Sequence, residues 1–209
     1  MLTERSVRDF TQALADKVPV PGGGGAAALA ASLAAALGSM AANYTVGKKK
    51  FAMYEDDVKE LLETLNGLRL KLLTLVEKDA EAFEPLSEAY AIPKDHPSRE
   101  EAIQNATLHA AYAPLDIMDA TADIIDALDE LVDKCNPLML SDVGCSAILA
   151  GAALRAASLN VFVNTTALKD RKVAEEFELT AERLLEDYLP LADIIADNVT
   201  ADIREGEDD

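Results

Sequence analysis

Pro19-Val20-Pro21-Gly22-Gly23-Gly24-Gly25, with the run it introduces from Ala26 to Asn43, constrains this chain more than any other stretch. Two prolines and four glycines are poor interior residues for helix or strand, so they predict a sharply shaped turn. Behind the turn stand Ala, Leu, Ser and Gly almost exclusively, which form helices well or allow close packing. Leu29, Leu33, Leu37 and Met40 make one ridge of that helix, with alanine on its other sides. A segment apolar all round reads as a central, buried helix, and its alanine content is too weak an insertion signal for a membrane span. Bare backbone N–H groups at a helix N-terminus can also hold an anion. From this stretch alone, a tight turn before a buried helix is the leading reading.

The rest of the chain repeats the helical pattern. Half of the residues are hydrophobic, yet aromatics make up 5% and Trp is absent, so the core is aliphatic and suited to closely packed helices. Leu2–Ala15 predicts a first helix with Thr3 as its N-cap. Glu55–Tyr90 predicts a long third helix, broken at Ile92–Pro97 and followed by a Ser98/Glu101 capping box. The fourth helix kinks or restarts at Pro114, and its Asp116, Asp119, Asp123, Asp126, Glu130 and Asp133 form a solvated acidic face. Ser141-Asp142 caps a fifth, small and apolar helix reaching Thr166, a partner for the Ala-rich one. Val173–Ile203 makes a sixth. No strand pattern or linker is evident. The expectation is an all-α, single-domain multihelical bundle over residues 1–203, with two central Ala/Gly-rich helices, long flanking helices and an acidic tail at 204–209.

The formal net charge of −19 argues against nucleic acid or an anionic membrane as partner. An anionic ligand would need a local basic site, and Lys48-Lys49-Lys50 is the one basic triplet. Cys135 and Cys145 are too few for a disulfide framework, and Cys145 is expected to pack as a small hydrophobe. His96 and His109 lack metal-ligand spacing, so no metal is expected. No secretory signal precedes the polar start, which makes a cytoplasmic protein the expectation.

One residue breaks the third helix's apolar stripe of Val58, Leu61, Leu65, Leu68, Leu72, Val76, Phe83, Leu86 and Tyr90. Asp79 stands where a leucine is expected. A desolvated carboxylate has a raised pKa and suits a general acid near neutral pH. A buried Asp satisfied by a donor such as Asn160, Asn164 or a lysine explains it equally well. For the lysines, a clamp on a ligand carboxylate and cations favourably placed beyond a helix C-terminus stand even. Asn160 and Asn164 share a helix face, and interhelix bonding is the simpler reading of that pair.

Together these residues resemble the cyclodeaminase/cyclohydrolase family of folate enzymes. The resemblance runs through Pro19-Val-Pro-Gly-Gly-Gly, Thr45-Val-Gly-Lys-Lys-Lys-Phe51, Asp79-Ala-Glu-Ala-Phe83, Asn136-Pro137, Ser141-Asp142-Val-Gly144 and Leu159-Asn160-Val…Asn164, in order and over nearly the whole chain. It implies an all-helical homodimer acting on a tetrahydrofolate one-carbon derivative, which is substrate rather than cofactor. One activity cyclises 5-formiminotetrahydrofolate to 5,10-methenyltetrahydrofolate with loss of ammonia. The other opens the methenyl compound to 10-formyltetrahydrofolate. Cyclodeaminase is the first expectation, cyclohydrolase the second, and a non-catalytic helical binding or scaffold protein the alternative of another class.

The resemblance puts the proton donor on Asp79 and substrate contacts on Gly22, Gly23, Gly24, Lys48, Lys49, Asp142, Asn160 and Asn164. This chain has Gly25 where the family often carries Ser. Eighteen helical residues span about 27 Å, so the Gly turn and the lysines of one copy lie too far apart to share a small ligand. Either they serve different parts of an elongated folate or a dimer brings them together, and the dimer is the preferred expectation.

Overall fold

The computed structural model describes residues 1–205. It contains six α-helices in the order α1 (Val7–Ala15), α2 (Gly23–Asn43), α3 (Glu55–Ala91), α4 (Arg99–Val132), α5 (Leu140–Thr166) and α6 (Arg171–Glu205). Two 3-10 segments, Lys49–Tyr54 and Pro137–Met139, lead into α3 and α5. No strand occurs among the described residues. Helix α2 packs on α3, α4 and α5, while α5 also packs on α4 and α6. The two small-residue helices are therefore the centre and the longer ones the flanks, as the sequence predicts.

Helices α2 and α5 run antiparallel. Near the end of α2, Thr45 Oγ1 accepts from the Asn136 amide just ahead of α5 (2.8 Å). At mid-helix the Ser146 hydroxyl donates to the Ala34 carbonyl (2.7 Å). At the start of α2, Gly23 lies against Asn160, late in α5. Small residues permit this approach. A Cβ on Gly38 would come within 3.1 Å of both Leu65 and Leu128, so α2, α3 and α4 meet there without room for a methyl group. Most of the largest buried side chains, among them Leu65, Leu72, Ile117, Ile124 and Leu128, come from the flanking helices and fill the space that alanine leaves.

Several local expectations are corrected. Gly23, Gly24 and Gly25 lie inside α2 as its first turn rather than in the turn before it. Alanine, Gly38, Ser32 and Ser39 form the buried face of α2, whereas Leu33 is 54% exposed and Leu29, Leu37 and Met40 are only partly covered. Helix α1 starts at Val7 and is capped by Ser6, which accepts from the Asp9 amide at 3.1 Å. Thr3 instead donates its amide and hydroxyl to Glu77 on α3. Ser98 precedes α4 but caps nothing, because its hydroxyl pairs with His96.

Ser141 and Asp142 lie within the first turn of α5 rather than capping it; Asn136 caps the preceding 3-10 segment. Cys145 is exposed, while Cys135 is buried and its thiol is pushed up to about 11. The acidic residues of α4 do face solvent. Of the expected tail, Arg204 and Glu205 continue α6 and residues 206–209 lie outside the described part. Two stretches, Gly23–Asn43 and Pro137–Thr166, are long and apolar enough to cross a membrane, and 61% of the first is buried inside the protein.

Candidate active site

A cavity of about 220 Å³ opens where the start of α2 meets α3, α4 and α5. Its wall brings together Gly22, Gly23, Gly24, Asp79, Asn160 and Asn164, six of the nine residues singled out in the sequence. Pro19, Val20, Phe83, Leu86, Ala110, Pro114 and Val163 complete it. Position in the apolar stripe of α3 aims Asp79 inward, because 79 follows Val76 by three and Leu72 by seven residues. The carboxyl is half-buried in a wall that carries no cationic side chain.

Burial is the main influence on Asp79 and raises its pKa, while the Gly25 backbone N–H pulls the other way. The N-terminal end of the α2 dipole favours the anion as well. Desolvation wins, so Asp79 keeps its proton to higher pH than an ordinary Asp. Gly24 is what makes the arrangement possible. A methyl group there would overlap the carboxyl, lying 2.6 Å from its Cγ and 2.8 Å from Oδ2. The turn glycines thus let α2 close onto Asp79, a role more specific than an open backbone facing a ligand.

Asn164 is held by a gap in α4. Pro114 has no N–H, so the Ala110 carbonyl loses its helical partner. The Asn164 amide donates to that carbonyl at 3.0 Å and to Asn160 O at 2.9 Å. Asn160 donates back to Ala156 O at 2.9 Å. Both side-chain nitrogens are thereby occupied. Among the described residues neither Oδ1 receives a hydrogen bond, which leaves two amide acceptors in the same wall as a carboxyl of raised pKa. Such a set suits a nitrogen-rich group that must gain a proton. A second cavity of about 510 Å³ lies across Pro19 and Val20, lined also by Glu77, Glu81, Glu84 and Glu88.

The remaining three residues are elsewhere. Lys48 and Lys49 follow the C-terminal end of α2, and Asp142 opens α5 at that same end. Lys48, Lys49 and Lys50 are exposed, and none pairs with a carboxylate among the described residues. No group of three or more His, Cys, Asp or Glu placed to hold a metal occurs among the described residues. The sequence reading missed Ala110 and Pro114. A proline inside a helical pattern marks a freed carbonyl, but nothing in the sequence says which distant amide takes it.

Residues 6–183 match the family described as Formiminotransferase-cyclodeaminase. This chain belongs to that family. Methenyltetrahydrofolate cyclohydrolase of Methylorubrum extorquens is 37% identical over 208 residues, covering 98% of this chain and 100% of that one. Formimidoyltransferase-cyclodeaminase of Dictyostelium discoideum is 33% identical over 186 residues, 88% of this chain, which spans 34% of that longer protein. The formiminotetrahydrofolate cyclodeaminase structure from Thermotoga maritima superposes with a TM-score of 0.84 at 28% identity, covering 96% of this chain and 100% of the other. Of these proteins, the two covered along their whole length are named one as a cyclohydrolase and the other as a cyclodeaminase.

Proposed function

We propose that this protein cyclises 5-formiminotetrahydrofolate to 5,10-methenyltetrahydrofolate and releases ammonia. The observation that supports this reading most is Asp79, a carboxyl of raised pKa in a cation-free cavity whose wall also carries Asn160 and Asn164. N10 attacks the formimino carbon, giving a tetrahedral carbon bonded to N5, N10 and the former imino nitrogen. One proton moves from N10 to that nitrogen and Asp79 gives a second, so the C–N bond breaks with loss of neutral ammonia. The amide oxygens of Asn160 and Asn164 accept from the protonating nitrogen. The carboxylate left on Asp79 then faces the methenyl cation, which stabilises the charge as it forms. Holding N10 against the one-carbon unit supplies the proximity term.

The second reading is a methenyltetrahydrofolate cyclohydrolase, favoured by the full-length match at 37% identity. There Asp79, as carboxylate, takes a proton from the water that attacks the methenyl carbon and returns it to N5 as the C–N5 bond breaks, while the new hydroxyl loses its proton to solvent and becomes the formyl carbonyl. Both readings use proton transfer and positioning, with the folate as substrate and no further cofactor. We further propose a cytoplasmic homodimer that binds neither nucleic acid nor membrane. Supplying 5-formiminotetrahydrofolate and methenyltetrahydrofolate separately tests the assignment. Ammonia release from the first supports the cyclodeaminase. Faster hydrolysis of the second alone supports the cyclohydrolase, and turnover of neither refutes both.

A further inference from the structure

The cavity that holds Asp79 is small. At about 220 Å³ it falls below the roughly 300–1,000 Å³ of a small-molecule site. The neighbouring cavity of about 510 Å³ shares three of its wall residues, Pro19, Val20 and Phe83. The two spaces meet at those residues, and joined they reach the size of a ligand site. Phe83 follows Asp79 by four residues on α3. It therefore stands on the same helix face one turn further on, about 6 Å along the axis. Pro19 and Val20 come from the segment ahead of α2, so the junction combines one aromatic side chain with two apolar ones. Among the described residues, Phe83 is the one aromatic side chain lining either cavity. Its ring is 36% exposed in a protein whose aromatic content is only 5%. An uncovered ring inside a cavity is a surface that a flat ligand can cover.

We propose that Phe83 is the platform for the pteridine ring of the substrate, which fills the larger cavity while its one-carbon unit reaches Asp79. The assignment rests on the folate reading and adds the direction in which the substrate lies. N5 belongs to the flat pteridine. With the one-carbon unit at Asp79, two fused six-membered rings reach the next turn of α3, where Phe83 stands. The benzoyl ring attached to N10 is flat as well, so charge must decide which end enters. Among the described residues, the larger cavity is lined by Glu77, Glu81, Glu84 and Glu88 and by no cationic side chain. That wall repels the carboxylates of the substrate's glutamate tail. The amino and ring N–H groups at the pyrimidinone end are donors, and a carboxylate accepts such a parallel pair well. The pteridine enters, and the tail leaves past Val163, which lines the smaller cavity and is 66% exposed. The negative face of the Phe83 ring also suits the positive charge that the methenyl compound spreads over N5 and N10.

Binding tests the assignment without requiring turnover. The probes are 5-formyltetrahydrofolate, 6-methyltetrahydropterin as the ring alone, and p-aminobenzoylglutamate as the tail alone. Phe83→Leu keeps an apolar side chain but removes the aromatic face, whereas Phe83→Tyr retains that face. By calorimetry, Phe83→Leu should raise Kd for the first two probes by about 3–10-fold. Phe83→Tyr should restore both values, and the tail probe should bind all three proteins alike. The chain has no Trp, so Phe83→Trp places a single indole at the junction. Its emission should be quenched by the ring probe and not by the tail probe.

A ring probe that binds Phe83→Leu as tightly as wild type overturns the assignment, as does weakening of the tail probe in its place. In either case, turnover by the wild type leaves the folate reading standing. A wild type that neither binds 5-formyltetrahydrofolate nor turns over either folate substrate refutes that reading, and the role of Phe83 falls with it.

Discussion

The two ends of α2 offer opposite chemistry. At the glycine end, backbone crowds a carboxyl in an apolar, cation-free cavity. At the lysine end, three cations stand in solvent with no carboxylate partner among the described residues. The first arrangement can shift a proton but cannot hold a carboxylate. The second can hold one but has nothing to react with it. Desolvation suits the group that must change protonation, and hydration suits the group that must stay charged. The division separates chemistry from anchoring, and substitution at each end should therefore leave a different kinetic signature.

Asp79→Asn should produce the largest effect. Loss of the acid is expected to lower kcat by about 10²–10⁴-fold, with the helical circular dichroism signal kept. The sign of the stability change is also fixed. Because Asp79 binds its proton more tightly when folded, the native state loses stability as pH rises from the unfolded to the folded pKa. Asn removes that loss, so the melting temperature at pH 7 should rise. An unchanged kcat would sink the acid role.

Gly24→Ala comes next. Its methyl group must displace the Asp79 carboxyl, costing about 1–3 kcal/mol of stability and most of kcat, whereas Gly22→Ala, with open space around it, should leave stability within about 0.5 kcal/mol of wild type. Equal effects at the two positions in thermal melts and initial rates would remove the distinction between a packed and an open glycine.

At the other end, Lys48→Ala/Lys49→Ala should act on binding. Charge-assisted contacts contribute about 1.5–3 kcal/mol, so KM should rise by roughly 10–100-fold while kcat barely moves. The increase should shrink in high salt. A fall in kcat at unchanged KM would merge the two ends into one function.

The smallest expected effect is that of Gly25→Ser. A Cβ there sits 3.8 Å from Asp79 Oδ2, with Pro21 and Val76 at 3.7 Å, so a hydroxyl fits and can donate to the carboxylate. That favours the anion. Activity that depends on protonated Asp79 is present below its pKa and falls as pH rises through it. The Ser variant should therefore move this limb of the pH–rate profile to lower pH. A limb displaced upward would mean that the hydroxyl does not reach Asp79.

The helices, the central pair and the inward aim of Asp79 were all legible, because each follows from a period of three to four and the size of the side chains. Which face of α2 points inward was not. Leucines are normally buried, yet here they stand outward, because only alanine and glycine let α3, α4 and α5 approach so closely. Thr3, Ser98 and Ser141 each had the chemistry of a cap, but the first two found other partners and the third lay inside its helix. Asn164 was legible as a residue facing its neighbours. Its partner was not, since that carbonyl is freed by a proline fifty residues earlier in the chain.

The bond between Asn164 and Ala110 has a consequence for how this structure opens. An ordinary helix frays by breaking its own ladder, one rung at a time. At Pro114 the rung belongs to α5, so α4 cannot loosen there without releasing Asn164 and, through it, the carbonyl of Asn160. The wall of the cavity should behave in native-state hydrogen exchange as one cooperative unit drawn from two helices. Amides on either side of Pro114 and those around Asn164 should share a single opening free energy.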